Sequence, residues 1–275
     1  MADILHPWSR YVALGDSFTE GIGDPNDHSP GGFRGWADRV AEVLDSRTED
    51  FAYANLAVRG KLIQQILDEQ IEPALDLHPD LITLSAGGND VIRPGTDPDA
   101  ITDLFDRAVA RLSRDSATIV VFTGVDVKFS PVFRGFRSKV AVYNENIRAV
   151  AEKHDCVVAD QWALKEIQDP RMWSEDRLHL APLGHHTVAR MVLAALNVDN
   201  ALEPLEPAPL PETTWRHARA DDLAWAREYL VPWVVRRIRH QSSGDHVQPK
   251  RPSPGPVTLP EELSSSEAVR VSETP

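Results

Sequence analysis

Through the first two hundred residues, short β-rich runs alternate with longer stretches of helical periodicity, the pattern left by parallel strands joined through crossover helices. The runs at 11–14, 51–57, 81–85, 118–123 and 156–160 predict five strands of one sheet. Between the first two, "GWADRVAEVLDSR" sets Trp36, Val40, Val43 and Leu44 on one helical face, with its charges opposite. "LIQQILDEQIEPAL" repeats that spacing with Leu62, Ile66 and Leu67, until Pro73 ends or bends the helix. Further helices are predicted near 99–113, 137–154 and 183–196, and no internal repeat of fixed period is present.

After Val198 the character changes. "EPLEPAPLPETTW" carries four prolines in a short acidic run, which reads as an extended linker over 201–220. "ADDLAWAREYLVPWVVRRIRHQ" predicts an Asp-capped helical segment over 221–241, interrupted at Pro232 and closing on Arg236, Arg237 and Arg239. Residues 242–275 are rich in Ser, Pro and Glu, a composition that predicts disorder. The globular domain is therefore expected to occupy residues 1–200. A composition of 42% hydrophobic and 26% charged residues is enough for a sizeable core.

A net charge of −13 disfavours nucleic acid as a partner, because binding phosphates needs a concentration of Lys and Arg. No apolar run approaches the roughly 20 residues of a bilayer span, and "MADILHPWSR" has no secretory pattern, so an integral membrane protein is not expected and a cytoplasmic location is. The lone Cys156, in the apolar run "CVVA", reads as a small core residue.

Chemistry is suggested first by "YVALGDSFTEG". Ligands of open α/β sheets bind outside the carboxyl ends of the strands, so Ser17, just past the first strand, stands at the working edge. Gly15 permits the tight turn; the bland alternative is a serine that merely caps a helix. A serine hydroxyl needs a base, and among ten histidines "SEDRLHLAPLGHH" offers His179 three residues after Asp176. That carboxylate could fix the imidazole tautomer, although a solvent-exposed Asp and His before a helix fits the same pattern. A developing oxyanion needs donors. "NLAVRGK" places Gly60 beyond the second strand and "LSAGGNDV" places Asn89 beyond the third, although a turn glycine and an Asx turn would look alike.

Taken together, Gly-Asp-Ser after strand one, a glycine after strand two, Gly-x-Asn-Asp after strand three and a late Asp-x-x-His resemble the SGNH hydrolases, the GDSL esterase and lipase group. The resemblance covers about residues 8–198. It implies a flavodoxin-like three-layer α/β/α sandwich and ester hydrolysis without cofactor or metal. It implies Ser17 as nucleophile, His179 as general base and then acid, Asp176 as the orienting carboxylate, and Ser17, Gly60 and Asn89 as the oxyanion hole. The substrate would be a small-molecule or lipid ester, lysophospholipase-like or a small acyl ester. Acyl transfer by the same residues, or a binding module without turnover, are the alternatives.

Several neighbours are read more plainly. Asp16 and Asp90 are expected to hold loops by hydrogen bonding, and His185 to start a helix; the His185–His186 pair has no further ligand at zinc spacing. "GVDVKFSPVFRGFRSK" is the candidate substrate-shaping loop, with Phe129, Phe133, Trp162 and Trp173 as possible cleft residues and Arg134 and Arg137 as possible anion contacts. For the segment from Leu223 to His240, docking on the catalytic domain is favoured over peripheral contact with a membrane.

Overall fold

In Arg10–Gly15, strand β1, side chains alternate between two buried surfaces: Val12 and Leu14 join one apolar cluster, Tyr11 and Ala13 the other. A strand that is apolar on both faces must be covered on both faces. The computed structural model describes residues 7–114, 116–209, 219, 222–232, 235 and 242–257. It places β1 at the centre of one sheet with β2 (Ala52–Asn55), β3 (Leu81–Ser85), β4 (Thr118–Phe122), β5 (Val157–Ala159) and β6 (Arg251–Gly255), in the order β5-β4-β3-β1-β2-β6. The first five are mutually parallel and β6 runs antiparallel to β2.

Helices cover both faces. On one, α3 (Ile63–Glu69), α6 (Pro98–Leu112) and α7 (Arg137–Lys153) bury Ile66, Phe105 and Ile147 against Val12, Ile82 and Val121. On the other, α2 (Gly35–Asp45) and α8 (Pro182–Ala195) bury Trp36, Val40 and Val192 against Tyr11, Tyr53 and Val120. The result is a three-layer α/β/α arrangement. Chain direction across the sheet reverses between β1 and β3, and at such a switch point the loops beyond the carboxyl ends diverge and leave a crevice.

Pro73 interrupts its helix three residues upstream of itself. The chain closes α3 at Glu69 and resumes at Ile71, because a proline ring collides with the carbonyl four residues back, here that of Glu69.

The five-stranded, all-parallel sheet expected from sequence is corrected to six strands with an antiparallel edge. The added strand, "RPSPG", comes from the stretch whose composition predicts disorder, so the boundary expected near residue 200 does not bound the sheet. Two prolines are tolerated there because an edge strand has one side without a ladder to complete. The ammonium of Lys250, almost wholly buried, anchors the strand: it donates to the carbonyls of Phe33 (2.9 Å) and Arg34 (3.0 Å) and forms an ion pair with Asp38 on α2. Residues 201–209 carry neither helix nor strand. Residues 222–232 are helical, including the π-helical turn Ala226–Leu230. Arg236, Arg237 and Arg239, together with residues 258–275, lie outside the described residues.

His185, on the first turn of α8, is fully buried and acts as a strut. Its Nδ1 accepts from the Trp36 N–H (3.2 Å) and its Nε2 donates to the Ile22 carbonyl (3.1 Å), tying α8 to α2 and to the segment between β1 and α2. Burial pulls its pKa from 6.5 down to about 4. A base depressed on folding binds more protons unfolded, so its contribution is complete above the unfolded pKa and is lost as pH falls through the window. The loss amounts to about 3 kcal/mol between those two pKa values. Burial also pushes the Asp38 carboxyl up to about 6, against the pull of Lys250, and this group acts in the opposite direction over much of the same window. The His185 contribution is therefore read as a difference: urea unfolding of wild type and His185→Asn at pH 7 and 4.5 is expected to show the wild type losing more stability on acidification. Equal losses would refute it.

Candidate active site

The site begins with Gly15, whose φ of 147° is unfavourable for a side chain; a Cβ there would stand 2.5 Å from the Ser85 carbonyl. With Gln70 pairing to both its N–H and C=O at 2.9 Å, Gly15 ends β1 hard against β3. Asp16 then caps the short helix α1 (Ser17–Glu20), its Oδ1 accepting the Phe18 N–H at 3.1 Å. Ser17 is consequently the first helical residue, half-exposed at the switch point.

The loop 173–180 is closed on itself by a hydrogen bond from Ser174 N–H to the His179 carbonyl (2.8 Å) and a bridge between Trp173 and Leu180. Within it Arg177 takes a left-handed conformation, φ 55°, and the chain curls around the carboxylate of Asp176. Oδ1 accepts from the Ser174 hydroxyl (2.7 Å), Leu178 N–H (2.9 Å) and His179 N–H (3.0 Å), while Oδ2 lies 2.5 Å from His179 Nδ1. Burial opposes charge on Asp176, but the His179 contact and the two backbone donors outweigh it and hold this carboxyl well below the usual range. An ionised Asp176 keeps the proton of His179 on Nδ1 and leaves Nε2 able to accept one.

Gly60 sits in the loop after β2, at a φ of 74°. The buried carboxylate of Glu20 holds that loop by accepting the Arg59 backbone N–H (2.7 Å) and pairing with its guanidinium. Asn89 lies on α5 (Gly88–Val91), its amide donating to Asp16 Oδ2 (2.9 Å) and the Lys61 carbonyl (3.1 Å). Asp90 accepts the first N–H of α3, from Ile63, at 3.0 Å. Both aspartates of the sequence motifs therefore tie one loop to another.

Ser17, Gly60, Asn89, Asp176 and His179 all line one cavity of about 680 Å³. Phe129, Phe133 and Trp173 line it as well, the rings of Phe129 and Trp173 tilted against each other with centroids 5.5 Å apart. The loop after β4, the candidate substrate-shaping loop, thus puts Phe129 and Phe133 on the cavity wall. Trp162, Arg134 and Arg137 are not among the lining residues; Arg137 pairs with Asp126 (2.7 Å) and lies 5.2 Å over the Trp162 ring. Cys156 packs against the core, and burial pushes its thiol up to about 11. Among the described residues no cluster of three or more His, Cys, Asp or Glu could hold a metal ion, and no helix is long and apolar enough to cross a membrane.

Part of the cavity was not legible in the sequence. Trp225, Tyr229, Leu230 and Pro232 from the C-terminal segment line it, as do Ser242, Ser243 and Asp245. Their one sequence signal is an aromatic and apolar cluster in an otherwise polar tail, which does not say where it packs.

Residues 13–187 match the model of the GDSL-like lipase/acylhydrolase family. The chain belongs to that family. No curated protein sequence is significantly similar to it. Among solved structures, LAE5, an alpha/beta hydrolase enzyme from the metagenome of Lake Arreo, Spain, is 22% identical with a TM-score of 0.59, the alignment covering 70% of this chain and 97% of LAE5. Axe2, an acetylxylan esterase from Geobacillus stearothermophilus, is 17% identical with a TM-score of 0.56, covering 72% of this chain and 97% of Axe2. A member of the lipolytic G-D-S-L family from Veillonella parvula is 21% identical with a TM-score of 0.54, covering 67% of this chain and 96% of that one. At these identities the structures share the fold. Family membership makes the chain a carboxylic ester hydrolase acting on small-molecule esters, and it places Ser17, Gly60, Asn89, Asp176 and His179 inside the matched region. The C-terminal contribution to the cavity lies beyond it.

Proposed function

We propose that this GDSL-family hydrolase cleaves acyl esters through a covalent acyl-enzyme on Ser17. The observation that carries the reading is the 2.5 Å contact between His179 Nδ1 and an ionised Asp176 in the cavity that Ser17 also lines. In the first half-reaction Ser17 Oγ attacks the ester carbonyl while His179 Nε2 takes the hydroxyl proton. The Asp176 carboxylate stabilises the imidazolium so formed. The carbonyl electron pair moves to oxygen, where the N–H groups of Ser17 and Gly60 and the amide of Asn89 would stabilise it. The Asn89 amide now donates to Asp16 and Lys61, and it would serve that oxygen by sharing one of these hydrogens. As the carbon–oxygen bond to the alcohol breaks, His179 returns its proton to the departing oxygen. Water then attacks the acyl-Ser17 ester by the same route in reverse and releases the acid.

Acyl transfer to another acceptor would use the same residues, and a binding module would use the cavity without turnover. Product analysis separates the three. With p-nitrophenyl esters, free acid should be the main product in the presence and absence of added alcohols. A new ester as the main product would replace hydrolysis by transfer, and no turnover by a folded sample would favour a binder.

A further inference from the structure

The family match ends at residue 187, and relatives covered over 97% of their own length account for only 70–72% of this chain. The C-terminal segment after α8 is therefore an addition to the shared fold, yet it returns to the cavity. Arg177, between Asp176 and His179, pairs with Asp222 (2.7 Å) and lies 4.7 Å over the ring of Trp225. Tyr229 donates its hydroxyl to Glu175 at 3.4 Å. The helical segment is thus fastened to the loop that carries the histidine, and Trp225, Leu230 and Pro232 line the cavity.

Both flanks of the segment are fastened too. Upstream, Arg171 donates to the carbonyls of Pro207 (3.3 Å) and Ala208 (2.9 Å). Downstream, the turn at Ser242 packs on the loop of Gly60: a Cβ on Gly60 would stand 2.3 Å from Ser242 Oγ, and one on Gly244 2.0 Å from the Arg59 carbonyl. Beyond it, β6 and the buried Lys250–Asp38 pair fix the chain to the sheet.

We propose that Trp225, Leu230 and Pro232 are specificity-determining residues, completing with Phe129 and Phe133 a largely apolar pocket that selects esters bearing a medium-length hydrocarbon chain over acetate. The inference rests on the serine-esterase mechanism proposed for Ser17. A cavity of about 680 Å³ is of the size that encloses a whole drug-like ligand, and an acetyl group would leave most of it unfilled. Each methylene moved from water to such a wall favours binding by about fourfold, until the wall ends. The chain can enter on the acyl or on the alcohol side of the ester, since both flank the carbonyl.

Two ester series test this with the full-length protein: p-nitrophenyl esters from acetate to dodecanoate, and acetates of alcohols of the same lengths. In at least one series kcat/KM of wild type should rise by about tenfold or more from the two-carbon to the eight-carbon member. Trp225→Ala/Leu230→Ala should reduce that ratio by about tenfold. Trp225→Phe should retain most of it, and Val142→Ala, exposed on α7 and outside the cavity, should leave it unaltered. A wild type that prefers the shortest member in both series, or a double variant with the ratio intact, overturns the assignment while leaving the esterase reading in place. A folded wild type that turns over no ester in either series sinks both.

Discussion

Ser17→Ala is expected to lower kcat by a factor of about 10⁴ or more while leaving the melting temperature within a few degrees of wild type. The hydroxyl is the only group of Ser17 that the substitution removes; the backbone positions that set it, Gly15 and the Asp16 cap, are untouched. The α1 turn is built through the backbone of Ser17 rather than through Oγ: its carbonyl accepts from Gly21 and Ile22 at 3.1 Å. Binding and the oxyanion donors survive in the variant, and these alone sustain a small residual rate. Steady-state kinetics on the best p-nitrophenyl ester, with a thermal melt of the same sample, check both halves. A variant within tenfold of wild-type kcat would remove Ser17 from the mechanism.

Asp176→Asn should be nearly as damaging, at about 10³–10⁴ in kcat, for a reason that can be followed atom by atom. Three donors converge on Oδ1: the Ser174 hydroxyl and the N–H groups of Leu178 and His179. In the variant they require an acceptor in that position, so the amide oxygen takes it and the NH₂ group turns to His179 Nδ1. Nδ1 must then accept, its proton moves to Nε2, and the nitrogen that should deprotonate Ser17 becomes a donor. The loop survives while the base is disabled. The expected signature is a fall in kcat with little change in KM and with the melting temperature preserved. Loss of activity accompanied by a collapse of the loop, seen as a large fall in melting temperature, would assign Asp176 a structural role instead.

The sheet centre was legible in the sequence, and so was the gathering of the five candidate residues at one cavity, because both depend on local pattern. Leu81–Ser85 is the run expected from its apolar residues, and the motif residues come after strand ends that periodicity alone could place. The parts it did not carry depend on distant partners. "RPSPG" has neither alternation nor β-branched residues, and it is a strand because the free edge of β2 and the buried Asp38 await it across about two hundred positions. Trp225 and Leu230 stand out by composition, but their inward placement is set by Arg177 and Glu175 on another loop. The break between α3 and α4 (Ile71–Asp76) was expected from Pro73, and its position is set by the carbonyl four residues back. For Glu20, an acidic residue in an apolar setting, no local signal reports that Arg59 arrives to pair with it and thereby holds Gly60.

In the mechanism proposed for Ser17, a single hydroxyl of the protein becomes acylated. Reaction of the folded protein with an alkyl fluorophosphonate, followed by proteolysis and mass spectrometry, should find a single adduct, on the peptide holding Ser17, and none after Asp176→Asn on the same timescale. An adduct on any other residue, or a folded, unlabelled wild type, would contradict it.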